Sequence, residues 1–183
     1  MLGVDDGEIL HDTALQFESI DAIVKTASQV VLTYLMKHNI ERVVLGGWSY
    51  GGVVAMKMAQ FWHELSSINV GVEAVVLIDS PITPPRKVNE DKAPLLDGSS
   101  TARHFAYCTK LLQEYYDTPS PLVPCKLIDI RAEDSSYEYE DASELQKYTS
   151  KAAVRHISTG THWTVISEEN AAKVAKTLQL LLD

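Results

Sequence analysis

Cysteine is nearly missing from this 183-residue chain: there are two, Cys108 and Cys125, with no CxxC spacing. That excludes a disulfide framework and points to a reducing compartment. The six histidines show no metal-type spacing such as HxxxH, so neither a metal nor a bound cofactor is implied. Positive charge is scarce, with 16 Lys and Arg against 25 Asp and Glu and a net charge of −9. This balance argues against nucleic acid or an anionic membrane as the main partner. No apolar run approaches the ~20 residues that span a bilayer. The start, Met1-Leu2-Gly3-Val4-Asp5-Asp6, lacks the basic residues and apolar stretch of a signal peptide. The default expectation is a cytoplasmic protein. Internal repeats and low-complexity tracts are also missing. What remains is a chain with 45% hydrophobic and 22% charged residues, long enough for one domain with a sizeable core.

The order of elements is readable from periodicity. Residues 1–18 are acidic and patternless and predict a loop. Ile20, Ile23, Val24, Ala27, Val30, Val31, Tyr34 and Leu35 fall at helical spacing between Ser19 and His38, with Ser19 as N-cap. Val43 to Leu45 predicts a buried strand, Val53 to Leu65 a helix, and Glu73 to Ile78 a second core strand ending at Asp79. Pro81, Pro84 and Pro85 open a polar stretch to about Gly98 that predicts no regular element. Ala102 to Tyr116 predicts a helix, Cys125 to Ile130 a strand, and Ala142 to Tyr148 a short helix. Ala153 to Ile157 predicts a strand, Thr159 to Trp163 a loop, and Glu168 to Leu182 a closing helix. Strands alternating with helices predict an α/β fold with a mostly parallel sheet covered on both faces. The insertion from about Ile82 to Pro124 would lie above the carboxyl ends of the strands, as a lid. Its apolar residues, Leu95, Leu96, Phe105, Tyr107, Leu111, Leu112, Tyr115 and Tyr116, fit an apolar substrate, and fit core or lid packing equally well.

The densest chemical signal is Gly46-Gly47-Trp48-Ser49-Tyr50-Gly51-Gly52, set between a strand and a helix. Strand, tight Gly-x-Ser-x-Gly turn and helix make a nucleophile elbow, with Ser49 held in a strained conformation. Side chains at positions 47 and 51 are expected to collide with the neighbouring strand and helix. The backbone N–H of Tyr50, at the helix start, is placed to donate to an oxyanion. No Lys follows the glycines, so a phosphate cradle of the P-loop type does not fit.

A serine hydroxyl is a poor nucleophile unless an imidazole takes its proton. Of His11, His38, His63, His104, His156 and His162, the last is the best candidate. It lies in a Gly/Thr loop between the last strand and the last helix, at the same sheet edge as the elbow. His38 and His63 end helices and read as surface groups, His156 as structural, and His104 as a lid residue within reach of substrate. Two carboxylates compete to orient the base. Asp79 ends the strand after the elbow helix, and Asp134 follows the next one, within an acidic cluster.

Gly-Trp-Ser-Tyr-Gly-Gly, then Leu77-Ile78-Asp79-Ser80-Pro81, then Gly160-Thr161-His162-Trp163, resembles the thioesterase domains of polyketide synthases, nonribosomal peptide synthetases and fatty acid synthases. The resemblance runs from about Ser19 to Leu182. It implies an α/β-hydrolase fold and a Ser49–His162–Asp79 triad. In stand-alone editing thioesterases the acid follows the next strand, which maps onto Asp134; Asp79 is favoured. The implied reaction is release of an acyl or polyketide chain, by hydrolysis, cyclisation or transfer. Its substrate would be a thioester on the phosphopantetheine arm of an acyl carrier protein. The sequence departs from this family at the front. Such domains begin with several strands, and a loop among them supplies the second oxyanion N–H. Their absence predicts an exposed sheet edge that could recruit a second copy. It also opens an alternative, a weak or inactive accessory subunit.

Overall fold

The computed structural model describes residues 17–65, 68–84, 87–88, 100–117, 121–135, 137–138 and 142–182. Helix α1 (Ile20–Lys37) starts where expected, and the Ser19 hydroxyl accepts from Ala22 N–H at 3.2 Å. Strand β1 (Arg42–Trp48) leads into α2 (Tyr50–Glu64), and β2 (Gly71–Ile78) follows. A short strand, β3 (Lys87–Val88), precedes α3 (Ser100–Tyr116) and β4 (Lys126–Asp134). Then come β5 (Tyr137–Glu138), a 3₁₀ helix (Ala142–Tyr148), β6 (Ala153–Thr161) and α4 (Glu168–Leu182).

The main sheet has the order β1-β2-β4-β6, and every pairing in it is parallel. One face is covered by α1, α2 and α3, with Met56, Trp62, Leu77, Leu111 and Leu127 in its core. The other face is covered by α4, whose Val174 packs with Val76, Ile128, Ile130 and Val165. Side chains alternate between these faces along β4: Leu127 joins the first core, Ile128 and Ile130 the second. Among the described residues β1 is an end strand, and Val44 is 39% exposed. No helix among the described residues is long and apolar enough to cross a membrane.

Pairing lengthens the strands beyond their apolar runs. β4 continues through Asp134, which pairs with Thr161, so Asp134 ends its strand rather than following it. β6 accordingly runs to Thr161, and the expected loop at Thr159 to Trp163 begins later. Thr159 and Thr161 carry the β-branching that suits a strand, and Gly160 tolerates a φ of 108° there. Within the stretch expected to be irregular, β3 pairs antiparallel with β5, a contact between segments some 50 residues apart that periodicity does not show.

The second half of α3 belongs to the scaffold. Cys108, Leu111 and Tyr115 are buried, and Tyr116 donates its hydroxyl to the Pro81 carbonyl at 2.8 Å. Tyr107, Leu112 and Tyr116 pack partly buried against the same core. For these residues the core-packing reading holds. Leu95, Leu96 and His11, with most of residues 1–18, lie outside the described residues, as do the side chains of His104 and Phe105.

Candidate active site

The carboxyl ends of the strands bring the candidate residues to one edge of the sheet. Trp48 is in register with Ile78, and Ser49 N–H continues that ladder onto the Ile78 carbonyl at 2.8 Å. One strand further, Asp79 N–H donates to the Ile130 carbonyl at 2.7 Å. Ser49 and Asp79 thus stand at equivalent points, each just past the end of its strand.

Ser49 has φ 53° and ψ −127°, a sparsely populated conformation for a residue with a side chain. It occupies the N-cap position of α2, where a serine oxygen ordinarily accepts from the first turn. Here it makes no such bond, so the hydroxyl is not spent on the helix. Tyr50 is the first residue of α2, so its N–H belongs to the first turn of that helix.

The glycines of the elbow divide the work differently from the expectation. A Cβ at Gly47 would lie 2.2 Å from the Gly51 carbonyl carbon. A Cβ at Gly52 would lie 2.0 Å from Ser80 Oγ. At Gly51, where a collision was expected, nothing lies within 4 Å. The turn brings positions 47 and 51 together face to face, so only the residue on the inside is crowded. Position 52 instead faces the Asp79 turn.

His162 is 1% exposed and Asp79 fully buried. His162 Nδ1 lies 2.7 Å from Asp79 Oδ2. Asp79 Oδ1 accepts from Ala132 N–H at 3.2 Å, and Oδ2 also accepts from the Ser135 hydroxyl at 2.9 Å. A buried carboxylate needs this many donors to offset lost hydration. Asp79 itself has φ 44°, a second strained residue at this edge. Asp134, the competing carboxylate, is exposed at the end of β4, and it is Asp79 that meets the His162 ring. His156 lies exposed on β6, while His38 caps α1 and His63 sits in the last turn of α2.

The loop that carries His162 is fixed from both sides. Thr164 and Val165 N–H donate to the Thr161 carbonyl at 3.1 and 3.0 Å. Asn170 of α4 donates to the Thr164 carbonyl at 3.0 Å and accepts from Thr159 at 3.2 Å. Trp48, the residue before Ser49, donates its indole N–H to the His162 carbonyl at 2.9 Å. Its ring centroid lies 4.9 Å from the imidazole, and Trp163 stands edge-on to that ring, also at 4.9 Å. Trp48, Ser80 and Ser135 have no role in the sequence reading. Trp48 and Ser80 each carried one signal, adjacency to Ser49 and to Asp79, and Ser135 carried none. Among the described residues no group of three His, Cys, Asp or Glu is arranged to hold a metal ion.

A strand-turn-helix serine, a parallel sheet covered on both faces and a late histidine loop define an α/β-hydrolase fold. Solved structures of thioesterases share it. The NocB thioesterase domain from the nocardicin cluster superposes with a TM-score of 0.61 at 18% identity, covering 92% of this chain and 76% of that one. Human thioesterase 2 gives 0.59 at 16% identity, over 92% and 82%. The type II thioesterase BorB from the borrelidin cluster gives 0.58 at 15% identity, over 89% and 72%. No family model and no curated protein matches the chain.

Proposed function

We propose that this chain is a thioesterase-type serine hydrolase or acyltransferase that releases an acyl or polyketide chain from a carrier-protein thioester. The observation that carries the reading is the buried 2.7 Å contact between His162 Nδ1 and Asp79, at the same sheet edge as the strained Ser49. In this reading Ser49 Oγ attacks the thioester carbonyl while its proton passes to His162 Nε2. Asp79 holds Nδ1–H and favours the imidazolium that forms. The N–H of Tyr50 donates to the oxyanion. Collapse of the tetrahedral intermediate breaks the C–S bond, and the departing sulfur of the phosphopantetheine arm takes the proton from His162 and leaves as the thiol. Water, or a nucleophile within the product, then attacks the acyl-serine with His162 again as base. The similarity to thioesterase structures supports the choice of a thioester over other acyl compounds.

The end position of β1 among the described strands favours a second reading, in which a weak or inactive protein keeps the scaffold for a partner. Titration with a fluorophosphonate distinguishes the two. Stoichiometric labelling at Ser49, lost in Ser49→Ala, with turnover of acyl thioesters by the unmodified chain, is the expected result. A folded chain that neither labels nor turns over would establish the accessory reading.

A further inference from the structure

Asp79 is the near end of a buried charge cluster whose other members, Arg131, Asp129 and Arg155, have no part in the proposed reaction. Arg131 on β4 is 5% exposed. Its Nε donates to Asp129 Oδ2 at 3.0 Å, and its Nη2 donates to the Ser80 carbonyl at 2.8 Å. Its Nη1 lies 3.8 Å from Asp79 Oδ1. Asp129, fully buried, also accepts from Arg155 of β6 at 2.6 Å. The guanidinium therefore faces three ways in one plane: toward a fixed carboxylate, toward the peptide after Asp79, and toward Asp79 itself.

We propose that Arg131 is a positioning residue for the reaction at Ser49, holding the Asp79 turn so that the carboxylate meets His162 Nδ1. The inference rests on the Ser49–His162–Asp79 reading of the site. Three observations carry it. Asp79 sits at φ 44°, a conformation that its surroundings must impose, and Arg131 grips the carbonyl of the very next residue. Ser80 also adjoins the elbow: its hydroxyl proton is shared between the Ile78 carbonyl at 3.2 Å and the Gly47 carbonyl at 3.3 Å, and its Oγ sits where a Cβ of Gly52 would fall. The charges also balance across the elements that face the site. Arg131 and Arg155 oppose Asp79 and Asp129, and Ser135 adds a neutral donor to Asp79. Without Arg131, Asp129 would keep Arg155, while Asp79 would keep only His162 among the described ion pairs.

The test compares Arg131→Met, Arg131→Lys and Arg155→Met in the whole chain, with thermal unfolding to establish folding. Two readouts are taken. One is kcat and KM on an acyl thioester. The other is the low-field proton resonance of the His162 Nδ1–H···Asp79 bond, read without substrate. Arg131→Met should lower kcat about 10²-fold with little change in KM, because a displaced orienting group costs turnover rather than binding. It should also lose or displace the resonance. Arg131→Lys should recover part of both, and Arg155→Met should keep both near the unmodified level. Unchanged kcat and resonance in Arg131→Met would overturn the proposal, as would equal losses in Arg155→Met. If Arg131→Met does not fold, Arg131→Lys decides alone: a displaced resonance and lower kcat support the role, and no change in either overturns it. If unmodified protein is never labelled at Ser49, the thioesterase reading fails, while the resonance still reports whether Arg131 holds the Asp79–His162 pair.

Discussion

Asp79 meets four groups at this edge: an imidazole, a serine hydroxyl and a backbone N–H, with a guanidinium alongside. Asp134 is exposed one strand away. The two carboxylates have similar sequence settings and very different physical ones. Asp79→Asn should lower turnover on the order of 10³–10⁴-fold, because an amide in place of the acceptor favours the wrong imidazole tautomer. Asp134→Asn should stay within about threefold of the unmodified chain, as surface changes usually do. Steady-state turnover of one acyl thioester by both variants checks this, and a larger loss at Asp134 would reverse the assignment. Cys125 gives a second residue-scale expectation. Burial pushes its thiol up from 9.0 to about 11, against a smaller opposite effect of the Val75 backbone. It should resist alkylation in the folded state at pH 8 and react on unfolding.

At the scale of elements, the β1–α2 elbow depends on backbone contacts that leave no room for a methyl group. Gly47→Ala would drive a Cβ into the Gly51 backbone, which cannot move without opening the turn. A loss of about 3 kcal/mol or more is expected, at the upper end of overpacking costs. Gly51→Ala places its methyl in open space near the start of α2. It should be neutral or stabilising by up to about 1 kcal/mol, since alanine is the better helix former. Denaturant midpoints of the two variants measure the contrast. A Gly51→Ala change as damaging as Gly47→Ala would mean that the turn is packed differently. The same scale explains α3. Its sequence suits a lid as well as a core helix, and burial of Leu111 and Tyr115 against the β2–β4 face ties its second half to the scaffold.

For the whole molecule, burial of Cys125 has a consequence for alkaline stability. Its folded pKa stands above the unfolded value, so the contribution is fully present below about 9.0 and is lost as pH rises toward about 11. Between those limits the unfolded chain releases a proton that the folded chain keeps, and unfolding is favoured. Cys125→Ala should therefore flatten the fall in stability between pH 9 and 11, beneath the common contributions of Tyr and Lys. Urea midpoints of both proteins across that range read the difference. Parallel curves would show that Cys125 ionises as readily folded as unfolded.

The sequence by itself determined the alternation of strands and helices, the Ser19 cap, the elbow around Ser49 and the late loop carrying His162. Each of these is a local signal: a period, a capping residue, a glycine pair, a polar break between apolar runs. Strand ends were less legible, because β4 and β6 extend one another by pairing Asp134 with Thr161. Local pattern also assigned a collision to the wrong glycine, since the partner of Gly52 is Ser80, 28 residues away in the chain. The choice between Asp79 and Asp134 could be ranked from sequence but not made. Both lie at the carboxyl ends of neighbouring strands, and only the fold shows which one faces the His162 ring. Arg131 and Asp129 gave no signal beyond two charged residues at alternate positions of an apolar strand. Their place beside Asp79 depends on β2 lying next to β4, and on side chains of one parity sharing a face.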